Sequence, residues 1–144
     1  IPVIRSNQTL LGVITRRAVM DRMSKEQLSG LPTFSEQISQ KVVLQANHFE
    51  LTVEPSMLEK SGVLSNGVLT EVLTTVTRQL MMNSGKNLII EQLLVYYLQA
   101  VQVDDTLRIE TRIVRQTRRS AIIDFDLYLN LQLVTKATVT LKIN

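Results

Sequence analysis

The chain contains no cysteine and no tryptophan, one histidine, three prolines and five glycines in 144 residues. Without thiols there is no disulfide, no cysteine nucleophile and no thiolate metal site. With one imidazole as well, no cluster offers the three or four donors of a metal centre, so no metal is expected. Aromatic residues make up 4% against 44% apolar overall, so a core must be filled by Leu, Val and Ile, and there is enough of them to fold. Sixteen basic and thirteen acidic side chains leave a net charge of +3, too small an excess to indicate nucleic-acid binding. No apolar run approaches the ~18 residues that span a bilayer. The first residues lack the pattern of a secretion signal, so a cytoplasmic protein with no membrane partner is expected. The sequence opens at Ile1 in mid-pattern and reads as cut from something longer.

Two segments differ in character. Residues 1–28 read as strand, turn, strand and helix, with Ser6-Asn7-Gln8 as turn chemistry and helical spacing through Val19 and Met23. Two short strands and a helix do not bury a core alone, so this piece needs a partner. Residues 29–40, with Gly30 and Pro32 close together and no period after them, read as a linker. From 41 to 144 the pattern is that of an α+β domain. Phe49, Leu51 and Val53 alternate with His48, Glu50, Thr52 and Glu54 as a half-buried strand that Pro55 ends. Ser56 and Glu59 are spaced as a capping box for a short helical turn, stopped by Ser61-Gly62. Ser65-Asn66-Gly67 opens the longest helix, in which Leu69, Leu73, Val76 and Leu80 share a face that Val68 and Val72 widen. A helix so broadly apolar is expected to be wrapped by sheet. Asn83-Ser84-Gly85 is its stop signal. Four strands follow, over 88–98, 107–115, 120–129 and 131–143, expected as a meander.

This order resembles the hotdog superfamily of acyl-CoA thioesterases and their non-catalytic relatives, over roughly the last 104 residues. Thioesterases of the phenylacetate-pathway type carry Gly-x-x-His-Gly-Gly at the start of the central helix and an acidic side chain seven residues on. Here Gly62 and Gly67 match, Ser65 and Asn66 replace the His and the first Gly, and the acidic position falls on Thr74. Gln99 to Leu107 looks like the family's strand connection, with Asp104 where a glycine is usual. The opening segment resembles the end of a CBS domain, whose hallmark is an apolar strand running into Gly-x-x-Thr-x-x-Asp. This chain has Gly12-Val13-Ile14-Thr15-Arg16-Arg17-Ala18, and Ala18 offers no acceptor to a ribose. An adenine nucleotide at the CBS part would be left with Thr15 as a phosphate contact. Together the two pieces resemble bacterial multidomain proteins in which a sensing module precedes an acyl-thioester-binding one.

Candidate site residues follow from that resemblance and from chemistry. Ser65, Asn66 and Gly67 stand where free backbone N–H groups and the helix dipole would polarise a thioester carbonyl, with Thr74 further along the bound group; an ordinary cap explains the first three equally. Glu71 is the acidic side chain within that helix, about 4.5 Å nearer its start than Thr74. It is either a general base or a complement to the dipole. Arg115, Arg118 and Arg119 suit coenzyme A phosphates, or form a solvated basic turn. His48 reads as a surface strand residue without a triad. Tyr96 and Tyr97 face opposite sides of a strand, one of them in the core or at an interface.

The reading is a homodimeric, cytoplasmic module that binds an acyl-CoA or similar thioester and senses rather than hydrolyses, with no required cofactor. A thioesterase using Glu71 and a ligand-free dimerisation module are the alternatives.

Overall fold

The computed structural model describes residues 30–82 and 87–144. The expected CBS-like strands and helix, with Gly12, Thr15 and Ala18, and the stop signal at 83–85 lie outside these residues. The chain divides into two compact units between Thr33 and Phe34.

The second unit begins with α1 (Phe34–Lys41), followed by β1 (Val43–Gln45), β2 (His48–Thr52), a 3₁₀ turn (Pro55–Met57), α2 (Asn66–Leu80), β3 (Leu88–Tyr97), β4 (Thr106–Gln116), β5 (Ser120–Leu129) and β6 (Gln132–Ile143). The strands form one antiparallel sheet in the order β1-β2-β4-β5-β6-β3. Period-two alternation drives each long strand. In β5, Ala121, Ile123, Phe125 and Leu127 are buried while the residues between them are partly exposed. The inward rows of β2, β4, β5 and β6 share one core with Val72, Leu73 and Val76 of α2, each fully buried. The broad apolar stripe of α2 is covered as its sequence predicts.

Four details depart from the sequence reading. β3 is not the first strand of a meander: β4 is held by β2 through Phe49↔Ile109 and by β5 through Ile113↔Ile123. No edge of β4 remains for β3, which crosses to the far side and pairs with β6. Ser56 lies inside the 3₁₀ turn rather than capping it, because the turn starts at Pro55, whose fixed φ suits a first helical position. Gly62 has φ +90 and closes a tight reversal in which its N–H donates to the Glu59 carbonyl, a conformation that glycine adopts without strain. The polar stretch 29–40 carries α1, anchored by the buried Ile38 and packed against α2, and β1 adds a sixth strand.

Asp104, at the position where the resemblance implies glycine, has φ 70. Aspartate is among the few side chains that tolerate this left-handed region. Its N–H donates to the Val53 carbonyl while Val53 N–H donates to the Asp105 carbonyl, each at 2.8 Å, tying the β3–β4 connection to the end of β2.

Candidate functional site

The start of α2 is built by Ser65. Its backbone is extended, its carbonyl accepts the Leu69 N–H at 3.0 Å, and its Oγ accepts the Gly67 N–H at 3.1 Å. Ser65 N–H in turn donates to the Met57 carbonyl, so the 3₁₀ turn fixes where the helix begins. Of the first-turn amides, those of Asn66 and Val68 have no acceptor among the described residues. These unsatisfied donors and the helix dipole give this end a partial positive charge. A Cβ added to Gly67 would meet only Ser65 Oγ, at 3.6 Å, so the space above the first turn is open.

A cavity of about 270 Å³ lies against this turn. Asn66 and Leu69 contribute from α2, Val63 and Leu64 from the segment before it, Tyr97 to Val101 from the end of β3 and its loop, and Thr135 from β6. Backbone hydrogen bonds hold the walls. Leu64 N–H donates to the Val101 carbonyl at 2.7 Å, and the N–H groups of Leu98 and Gln99 both donate to the Val134 carbonyl. The lining is mainly apolar and contains no carboxylate and no imidazole.

Of the sequence candidates Asn66 lines the cavity, Ser65 and Gly67 flank it in the same turn, and the others are disposed differently. Thr74 is half-buried, and its hydroxyl donates to the Thr70 carbonyl at 3.0 Å, one turn back along the helix. Glu71 accepts a hydrogen bond from Ser35 Oγ of α1, so its carboxylate is engaged at the helix–helix contact rather than along the cavity. Arg115 is exposed near the end of β4. Arg118 and Arg119 border a separate cleft of about 430 Å³ with Lys142 and Asn144. Lys142 pairs with Ser120, whereas Thr135 pairs with Leu127, seven residues away along β6. At ~3.3 Å per residue the arginine cleft is therefore ~23 Å from the cavity within one protomer. His48 is half-buried on β2, with Nε2 2.9 Å from Glu50 Oε2. No group of three potential metal ligands occurs among the described residues. The same residues include no helix long and apolar enough to cross a membrane.

Lys136 is held above the usual lysine range by a hydrogen bond to Asp126 and by that carboxylate's charge. It follows Thr135 in β6 and so faces the opposite side of the sheet from the cavity.

Residues 61–130 match the family model described as Thioesterase superfamily. Among solved structures, thioesterase superfamily member 2 from zebra fish superposes with a TM-score of 0.71 at 20% identity, covering 85% of this chain and 94% of that one. A hypothetical thioesterase from Streptococcus pneumoniae, solved with coenzyme A, superposes with a TM-score of 0.64 at 23% identity, over 72% of this chain and 84% of its own. The domain shares the fold of these solved structures, a hotdog fold. A Streptococcus mutans protein solved bound to acetyl CoA gives a TM-score of 0.64 at 23% identity, covering 72% of the hotdog chain and 87% of its own. A curated relative, the uncharacterized protein YtoI of Bacillus subtilis, is 22% identical over 99% of this chain. The chain spans 35% of that relative's length.

Several cavity residues, Ala100 and Thr135 among them, were not singled out in the sequence. Ala100 carries no chemical signal. Thr135 did leave one: it is the polar member of the inward row Thr135, Ala137, Val139, Leu141 and Ile143, but threonine is also a common strand former and does not stand out among them.

Proposed function

We propose that the hotdog domain binds a short acyl-thioester, with the thioester carbonyl at the first turn of α2 and the acyl group in the adjoining cavity. The observation that carries this reading is the mainly apolar cavity lined by Asn66 and Leu69 of the first turn, a turn whose Asn66 and Val68 amides are unpaired among the described residues. Preorganised N–H donors at a helix start favour a polarised carbonyl, and apolar walls favour an alkyl chain. Ser65 contributes by holding the turn, its Oγ accepting the Gly67 N–H. Solved hotdog neighbours that hold coenzyme A or acetyl CoA support the ligand class.

Binding without efficient hydrolysis fits the same geometry. A general base must lie within hydrogen-bond reach of the attacking water. The cavity has no carboxylate, Thr74 stands at the acidic position with its hydroxyl directed to the Thr70 carbonyl, and Glu71 is bonded to Ser35. We read the module as sensory, attached to a nucleotide-responsive CBS-like region.

A homodimer through β3 completes the proposal. β3 is a ten-residue edge strand with Ile89, Leu94, Tyr96 and Tyr97 exposed, and an uncovered edge of this kind invites pairing. Antiparallel pairing of two copies would set the Leu88 end of one strand beside the Tyr97 end of the other. The cleft formed by the partner subunit's Arg118 and Arg119 would then approach this protomer's cavity, where guanidinium groups suit coenzyme A phosphates.

Acetyl-CoA and butyryl-CoA are expected to raise the melting temperature, with stabilisation of ~2.7 kcal/mol at a hundredfold excess over Kd. Thioester hydrolysis should stay at background in the wild type and in Glu71→Gln. A robust wild-type rate lost in Glu71→Gln would assign hydrolysis to Glu71 instead. No thermal shift with any acyl-CoA would favour a ligand-free dimerisation module.

A further inference from the structure

β6 turns Thr135, Ala137, Val139, Leu141 and Ile143 to the face covered by α2, and all five are buried. Thr135 is 2% exposed, and its hydroxyl has no hydrogen-bond partner among the described residues. Thr70, Thr74 and Thr77 donate to carbonyls one turn back and Thr138 donates to Asp124, whereas the buried Thr75 of α2, away from the cavity, has no side-chain bond among the described residues either. An unpaired hydroxyl in an apolar row is unfavourable, and valine would fill the position without that cost. Thr135 lies opposite Tyr97 on one side and Leu127 on the other, and it lines the cavity together with Asn66 and Leu69 of α2. Besides the polar side chains of Asn66, Tyr97 and Gln99, the cavity therefore has helix amides at its mouth and a buried hydroxyl in its wall.

We infer that Thr135 is a specificity residue selecting acyl groups that carry a hydroxyl or keto oxygen over plain alkyl groups of equal length. This rests on the acyl-thioester reading above. A volume of about 270 Å³ lies just below the range of ordinary small-molecule pockets, ~300–1,000 Å³, and so suits a short chain. A bare alkyl group leaves the Thr135 hydroxyl unpaired, whereas an oxygen on the chain pairs with it. Sites built to hydrogen-bond a substituent discriminate against analogues that lack it more strongly than apolar pockets discriminate a methylene.

The test is calorimetric titration of the full chain with butyryl-CoA and 3-hydroxybutyryl-CoA, both stereoisomers, in the wild type, Thr135→Val and Thr135→Ser. One hydroxylated isomer should bind the wild type at least ~10-fold more tightly than butyryl-CoA. Thr135→Ser should keep the preference. Thr135→Val should abolish it while leaving butyryl-CoA affinity unchanged or improved. Unliganded Thr135→Val should melt at or above the wild-type temperature, and a fall of several degrees would mean that the hydroxyl is already bonded and would overturn the inference. Equal wild-type affinities, or a preference that survives in Thr135→Val, would also overturn it while leaving the acyl-thioester reading intact. Failure of butyryl-CoA itself to bind would remove both.

Discussion

Ser65 shows how one side chain sets the geometry on which the site depends. Its Oγ satisfies one first-turn amide and its carbonyl starts the helical ladder, while the Asn66 and Val68 amides stay available. Ser65→Ala should cost ~1 kcal/mol, read as a melting temperature several degrees lower, and Ser65→Asp should restore most of it. Loss of no stability in Ser65→Ala would mean that the cap does not hold the turn. This residue was legible from Ser-Asn-Gly followed by apolar helical spacing. Glu71 was legible as a carboxylate but not as a partner of Ser35, because the hydrogen bond joins residues 36 positions apart. Thr74 was located by the resemblance, and its bond to the Thr70 carbonyl follows from helix geometry alone.

Among the elements, the long strands and α2 could be read because a single period runs through each. β5 spans Ser120–Leu129 in the structure as the alternation predicts. α1 could not, because its packed face rests on one buried residue, Ile38, and Phe34 is exposed. β1 is three exposed residues long, below any periodic signal. The placement of β3 beside β6 depends on which strands take up the edges of β4, a non-local fact that no window of sequence contains. The arginines share this difficulty: that they lie at the far end of the sheet from the cavity follows from strand register. β3 also carries the dimer prediction. Leu94, 46% exposed near the strand's midpoint, would approach its own copy across an antiparallel two-fold pairing. Sedimentation equilibrium should give a dimer for the wild type, and Leu94→Lys should weaken it by placing like charges together. A monomeric wild type would remove the shared-site arrangement while leaving the cavity as it is.

At the scale of the whole molecule, the domain packs an apolar helix on an antiparallel sheet and leaves that helix's first turn facing a small cavity. Sheet, cap and loop each serve this arrangement: Asp104 and Asp105 anchor the β3–β4 connection to Val53, and Val134 anchors residues 98 and 99. The most direct measurement of the central claim is titration of butyryl-CoA into the wild type and into Ala100→Trp, which fills the cavity from an exposed loop position. Saturable binding by the wild type and a loss of at least ~10-fold in a folded Ala100→Trp is the predicted result, since the blocked volume is the acyl pocket. Equal affinity in the two proteins would contradict it and move the ligand elsewhere.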